Sequence, residues 1–304
     1  MRHATVKATF EVKSPCVFIL ILNWRGVEDT MECARSCAAL NYPNFRIVII
    51  DNGSGDNSES VLRSTFPNVD ILQTGGNLGF AGGNNVGIKF ALRNGADYVW
   101  LLNNDAVVES SALKELVSSA EQNPAIAIVG SKIYYFDQPN VLWHAGALIN
   151  NDVGDALHVG NLESDCGQYD TPRECDYVTG CSFLIKCNVI EKIGMIDEAY
   201  FLLWEDVDWC ERARKKGYAV VYVPSSRVWH KVSKSIGMYS RLALYYYSRN
   251  SLLFILKHKP LRLIPIMLRR WRKIRRHHKG GETKHARCHA LALRDFLLFR
   301  WGHR

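Results

Sequence analysis

Three largely apolar runs of strand length constrain this chain more than any other feature: Val17–Leu22 (VFILIL), Phe45–Ile50 (FRIVII) and Tyr98–Leu102 (YVWLL). A run with so little polar alternation has no face to give to water, so such strands are expected to be buried on both faces. The segments between them have helical composition. Val27–Leu40, Asn57–Thr65, Phe80–Arg93 and Ser110–Gln122 read as helices, and Gly95 is placed to stop the third. Val69–Gln73 and the start of a strand at Ile126–Val129 complete the alternation. Strands alternating with helices predict a mostly parallel sheet covered on both sides. Further on, residues 136–178 read as loops and hairpins and Val178–Ile185 as a strand. Glu205–Lys216 reads as a helix stopped by Gly217, and Tyr218–Val223 as a strand ended by Pro224.

In such sheets ligands bind beyond the carboxyl ends of the strands. The residues there are small, polar and acidic: Asn23-Trp24-Arg25, Asp51-Asn52-Gly53-Ser54, Gly75-Gly76-Asn77 and Asn103-Asn104-Asp105. Asp51 either accepts from the imide N–H of a pyrimidine base or forms the turn that follows it. The glycine-rich stretch Gly75–Gly87 (GGNLGFAGGNNVG) fits neither the dinucleotide fingerprint nor the P-loop, which weighs against a dehydrogenase or an ordinary NTPase. Its glycines suit close backbone approach to a ligand or close helix–sheet packing. Asp105 has the chemistry of a ligand for a hard divalent cation, which commonly keeps substrate phosphates in its shell. It equally suits a turn or a helix cap. His230 closes Val228–His230 (VWH) and, alone, reads as structural; it gains meaning only beside Asp105 and Asp206.

Phe201–Tyr218 (FLLWEDVDWCERARKKGY) places Glu205, Asp206 and Asp208 between Trp204 and Trp209. A helix start favours acids through its dipole. Asp206 and Asp208 are two apart and cannot share a helix face. One can act as a general base on a hydroxyl while the other pairs with Arg212 or Arg214.

Taken in order, these elements resemble the family 2 glycosyltransferases of GT-A fold, most closely their rhamnosyltransferase-like branch. The resemblance runs from about Val17 to Asn250. It rests on Asn23-Trp24, IIDNGSGD ending at Asp56, NLGFAGGNNVGI (Asn77–Ile88), LLNNDAVV (Leu101–Val108), VTGCSFLI (Val178–Ile185), IGMIDEAYFLLWEDVDWCERARKKGY (Ile193–Tyr218) and VWH. The resemblance implies a nucleotide-diphosphate sugar donor, Mg2+ or Mn2+, and inversion at the anomeric carbon. It implies that Asp51 contacts the base, with Asn23, Asn77, Gly82, Asn84 and Asn104 also lining the donor. Asp105 matches the metal-binding acid, with Asn103 where the D-x-D motif has its first acid, and His230 completes the metal shell. Asp206 matches the catalytic base, and Thr179, Gly180, Trp204 and Glu205 fall on the acceptor side.

The charge is divided. Residues 231–304 hold 19 Lys and Arg against two acids, Glu282 and Asp295, although the chain as a whole is only +8. Ile264, Met267, Leu268, Trp271 and Ile274 recur at helical spacing among Arg269, Arg270, Arg272, Lys273, Arg275 and Arg276. A basic amphipathic helix of this kind suits an anionic membrane surface; the alternatives are packing on the acidic body or a nucleic-acid patch. Leu291–Trp301 reads as a second such helix. No nucleic-acid-binding motif accompanies the charge, so no nucleic-acid partner is expected. Leu252–Leu268 is interrupted by Lys257, His258, Lys259 and Arg262, so no spanning helix is expected. Nine cysteines without a C-x-x-C pair read as reduced thiols. Arg2, Lys7, Glu11 and Lys13 argue against a secretory leader.

The sequence therefore predicts a GT-A domain over 1–235, with a nucleotide-binding half at about 15–130 and an acceptor half at about 131–235. A basic helical tail follows over 236–304. The expected protein is a cytoplasmic, membrane-peripheral inverting transferase moving rhamnose from dTDP-rhamnose to a glycan or lipid-linked acceptor in cell-surface polysaccharide synthesis. A UDP-hexose or galactofuranose transferase is the enzyme alternative. A non-catalytic sugar-nucleotide or glycan-binding module is the other, against which Asp105, Asp206 and His230 together argue.

Overall fold

A computed structural model describes residues 14–232 and 240–303. Residues 1–13, on which the expectation of no leader rests, lie outside the described residues, as do 233–239, at the start of the expected tail, and 304. The first half runs β1 (Val17–Asn23), α1 (Val27–Ala38), β2 (Phe45–Asp51), α2 (Ser58–Thr65), β3 (Asp70–Gln73), α3 (Gly79–Arg93) and β4 (Tyr98–Asn103). It continues through β5 (Ala106–Val108), α4 (Ala112–Glu121), β6 (Ile126–Tyr135), β7 (Gln138–His144), β8 (Ala147–Asn150) and β9 (Asp155–His158). Then follow β10 (Arg173–Glu174), β11 (Ser182–Lys186), α5 (Cys187–Ile193), α6 (Glu205–Lys215) and β12 (Ala219–His230). The helices α7 (Arg241–His258), α8 (Leu263–Lys279) and α9 (Thr283–Leu297) close the chain.

The main sheet has the order β10-β12-β6-β11-β4-β1-β2-β3. β1 pairs in parallel with both β2 and β4, whereas β11 runs antiparallel between β4 and β6. The runs of β1 and β4 are buried on both faces as expected, whereas β2 is buried only from Val48 on, with Arg46 exposed. Val17, Ile19 and Ile21 pack with α1, α2 and α4, while Phe18 and Leu20 face α3 and the layer that includes α5, α6 and α7. The register places Asn23 opposite Asp51, and Leu22 opposite Asn103, so the polar ends of β1, β2 and β4 form one edge.

Three elements differ from the sequence reading. The expected strand Val178–Ile185 begins only at Ser182, because residues 179–182 turn, with the Ser182 N–H donating to the Thr179 carbonyl (3.2 Å). β12 does not end at Pro224 but reaches His230, with its register on β6 shifting between Val223 and Arg227. A bulge is one of the few places where a strand accepts proline. The three-residue β5 was not expected, being too short to carry a pattern; it pairs with the end of β12, bringing His230 opposite Ala106.

The basic C-terminal segment begins with a helix packed into the body. α7 buries Tyr246, Arg249, Asn250, Leu252, Phe254 and Ile255. The expected apolar stripe of α8 is split between two faces. Met267 and Ile274 are half-buried, whereas Ile264, Leu268 and Trp271 are exposed, as is Leu261 just before the helix. Among the described residues no helix is long and apolar enough to cross a membrane.

Candidate active site

The sheet edge is built from side chains that bond one another. Asn23 Nδ2 donates to Asp51 Oδ1 (2.7 Å), and its Oδ1 accepts from Thr30 Oγ1 (2.8 Å). Asn104 Nδ2 donates to the same Thr30 hydroxyl (3.0 Å) and to the Gly26 carbonyl (3.3 Å). Asn23, Asp51 and Asn104 thus form one network. Asp51 also accepts from the Ser54 hydroxyl (2.5 Å), the Ser54 N–H (3.3 Å) and Gln73 Nε2 (2.8 Å). A carboxylate has about four acceptor positions, and here all are filled from within the protein.

The glycine-rich segment is shaped for both backbone approach and packing. Asn77 Oδ1 accepts from the Gly79 N–H (2.9 Å) and from Asn52 Nδ2 (3.1 Å), pinning the start of α3. A Cβ on Gly82 would come within 2.8 Å of the Leu78 Cβ, and one on Gly83 within 2.5 Å of Leu22. The buried Asn84 donates to the Phe80 carbonyl (2.9 Å). Its neighbour Asn85, which sequence reasoning did not single out, ties α3 to Ile196 and Glu198 (2.8 and 2.9 Å).

Asp105 and His230, joined in the sequence only by the family resemblance, lie side by side. Asp105 Oδ1 lies 3.0 Å from His230 Nε2, with both side chains nearly buried, and Asn103 Nδ2 is 3.3 Å from the same nitrogen. Burial works against charge on both groups, yet the Asp105 carboxyl is held below its usual range by the imidazole beside it. Burial opposes the charge on His230, the Cys181 sulfur and the Asp105 carboxylate favour it, and the imidazole is pushed up to about 10. Burial also pushes the Cys181 thiol up. His230 Nδ1 is buried with no hydrogen-bond partner among the described residues, and the ring stands edge-on to Trp143 (4.6 Å between centroids).

The turn at residues 179–181 joins this pair to the acidic helix. The Cys181 carbonyl accepts from the Asn103 N–H (3.0 Å), while the Gly180 N–H donates to Asp206 Oδ2 (2.9 Å). The other oxygen of Asp206 accepts from the Val207 N–H (2.8 Å). Asp206 keeps some solvent exposure, and burial raises its carboxyl above the ordinary range despite these two bonds. Gly180 must be small: a Cβ there would lie 2.8 Å from the Phe80 ring. Thr179 is nearly buried beside it.

The other acids of the cluster do different work. Glu205 is 5% exposed, its Oε2 is without a partner among the described residues, and burial pushes its carboxyl well up. Trp204 is packed in the core against Tyr247 and Phe254. Asp208 is fully buried and accepts from Tyr200, Arg212, Lys257 and His258 at 2.7 to 3.0 Å. It is thus the acid that pairs with Arg212, and it locks α6 to α7.

Residues 17–194 match the family described as Glycosyl transferase family 2. Among curated proteins, the chain is 27% identical over 205 residues to the low-salt glycan biosynthesis hexosyltransferase Agl10 of Haloferax volcanii, covering 65% of this chain and 61% of that one. It is 26% identical over 238 residues to the dTDP-rhamnosyl transferase RfbF of Shigella flexneri, covering 74% of this chain and 75% of that protein. The fold is shared with the mannosyltransferase PcManGT from Pyrobaculum calidifontis, solved with GDP-Man and Mn2+ (TM-score 0.61, 12% identity, 95% of this chain and 89% of that one). The doubly covered sheet with its polar edge is a GT-A fold, and with more than half of its length matching the family, this chain belongs to glycosyl transferase family 2.

Proposed function

We propose that this glycosyltransferase moves a sugar, with inversion, from a nucleotide-diphosphate donor to a hydroxyl of a glycan or lipid-linked acceptor. The observation that carries this reading is the turn at 179–181. It bonds Asn103, beside the Asp105–His230 pair, on one side and Asp206 on the other, which supports a shared centre for an acid suited to a metal and an acid suited to a proton. Asp206 takes the proton of the acceptor hydroxyl as that oxygen bonds to the anomeric carbon and the bond to the diphosphate breaks. One base and no enzyme nucleophile suit inversion, through an oxocarbenium-like transition state.

The donor set fits a divalent cation, Mg2+ or Mn2+. Asp105 offers a carboxylate oxygen and His230, beside it, an imidazole nitrogen once a cation displaces the proton between them. Among the described residues no group of three or more His, Cys, Asp or Glu could hold a metal, so a diphosphate is the natural source of further ligands. Such an ion supplies electrostatic stabilisation of the departing diphosphate. The base of the nucleotide belongs beside Asp51. Gln73, which is exposed and shares its amide between Asp51 and Glu59, is the partner an imide N–H would replace.

Rhamnose from dTDP-rhamnose is the first donor, supported by the similarity to RfbF over most of both chains. A UDP-hexose is the second, supported by the similarity to the hexosyltransferase Agl10. A thermal-shift panel of dTDP-rhamnose, UDP-glucose, UDP-galactofuranose and GDP-mannose, each with Mn2+, Mg2+ or EDTA, separates them. A ligand that binds only the native state raises the melting temperature. A metal-dependent rise with one donor is the expected result, and a folded protein that responds to none of them would contradict the reading.

The exposed stripe Leu261, Ile264, Leu268 and Trp271, set among the arginines of α8, supports docking on an anionic membrane, in keeping with a lipid-linked acceptor and a place at the inner face of the cell membrane. The protein should float with phosphatidylglycerol vesicles and not with phosphatidylcholine vesicles. Equal flotation with both, or none, would argue against an electrostatic membrane surface.

A further inference from the structure

The loop that leads into Asp206 is strained, and two residues of α7 hold it. Phe201, Leu203 and Trp204 all have positive φ (60°, 66° and 77°) without being glycine. A left-handed conformation costs such residues about 1–2 kcal/mol each, so the loop persists only if its surroundings over-determine it. Its carbonyls are the means. Asn250 Nδ2 donates to the carbonyls of Tyr200 (2.7 Å), Leu202 (2.8 Å) and Leu203 (2.8 Å). Arg249 Nη2 donates to Ala199 (3.1 Å) and Tyr200 (3.2 Å), and Nη1 to Gly302 (2.9 Å). Arg249 Nε donates to Asn250 Oδ1 (2.9 Å), which orients the amide towards the loop. Both side chains are essentially buried, at 1% and 0% exposure.

The same loop touches the donor side. The Phe201 carbonyl accepts from the Phe80 N–H (2.7 Å) at the start of α3. Gly79 permits this approach, having φ +73° and a hypothetical Cβ only 2.4 Å from that carbonyl oxygen. The Trp204 carbonyl then accepts from the Asp208 N–H (2.9 Å), opening α6. The glycine-rich segment, the loop and the helix that carries Asp206 are therefore in direct contact, and α7 braces the middle member.

We propose that Arg249 and Asn250 are positioning residues for the transfer reaction: by fixing residues 199–204 in their strained path, they set Asp206 against the turn at Gly180 and relative to the start of α3. This rests on Asp206 being the base. Neither side chain lies in the site, and the start of α3 keeps its own anchors in the Asn52–Asn77 and Asn77–Gly79 bonds, so their loss should act on turnover more than on donor binding. A displacement of about 1 Å at a reacting group can lower turnover by about a hundredfold.

The test compares kcat, donor Kd and melting temperature for the full chain, Asn250→Ala and Arg249→Lys, each with and without Asp206→Asn, well below every melting temperature. With Asp206 present, Asn250→Ala should lower kcat about a hundredfold and leave donor Kd within a few-fold. In the Asp206→Asn background it should lower kcat no further, whereas a general loss of structure would act equally in both. Arg249→Lys keeps charge and bulk but loses the fork, so it should retain an intermediate kcat, and it carries the test if Asn250→Ala does not fold. Full turnover in either folded variant, or an equal loss in both backgrounds, would overturn the proposal. If Asp206→Asn alone keeps full turnover, it is the assignment of the base that fails.

Discussion

Asp206→Asn should lower kcat by about 100- to 10,000-fold, the range of a positioned general base, while donor affinity stays within a few-fold. The amide is nearly the shape of the carboxylate, and its oxygen can keep the Gly180 N–H bond of 2.9 Å, so the turn at 179–181 should hold. The amide loses the ability to take a proton, and with it the bond from the Val207 N–H, which an amide nitrogen cannot accept. The pH profile of the unmodified enzyme provides a second check. Burial raises the Asp206 carboxyl, and the base works only when ionised, so turnover should fall on the acid side at a pH above the ordinary carboxylate range. Asp206→Asn should flatten that limb. A variant that keeps both turnover and the acid limb would show that the base lies elsewhere.

Asp105→Asn should lower kcat/KM roughly a thousandfold, corresponding to several kcal/mol of lost transition-state stabilisation. The amide is a far weaker ligand for a hard cation, and it leaves a buried His230 without the carboxylate that now favours its charge. The metal-dependent part of the donor thermal shift should vanish with it. This separates the two acids: Asp105→Asn should lose metal-dependent binding, whereas Asp206→Asn should lose turnover alone. Isothermal titration of the donor with Mn2+ or EDTA into each variant reads the difference. Unchanged metal dependence in Asp105→Asn would remove Asp105 from the metal centre.

Much of the framework was legible because it depends on local composition. A run such as VFILIL reads as a buried strand by its length and lack of alternation, and its register against FRIVII carries Asn23 and Asp51 to the same edge. The pairing of Asp105 with His230 was legible only through resemblance, since nothing in the sequence announces that β12 passes through Pro224 and ends opposite Ala106. The bend at Val178–Cys181 was hidden for a similar reason. The segment is apolar enough to read as strand, and what bends it is Gly180 fitting between Phe80 and Asp206. The division of labour within the acid cluster was half visible. Spacing separated Asp206 from Asp208, but the partners that claim Asp208, Lys257 and His258, lie some fifty residues on.

The roles of Arg249 and Asn250 had no local signal at all. Their partners are backbone carbonyls of a loop whose sequence does not show its left-handed residues. Within a segment so rich in arginine, one buried guanidinium looks like any other. The split of the α8 stripe was likewise invisible, because periodicity gives a face but not what covers it.

The most direct test is the stereochemistry of transfer. Proton NMR can follow the sugar that the enzyme releases from its nucleotide-diphosphate donor to water, before the free sugar equilibrates. The proposed single base at Asp206 predicts an initial product of inverted anomeric configuration, and almost none with Asp206→Asn. An initial product that retains the donor's configuration would contradict a single-base displacement at this centre.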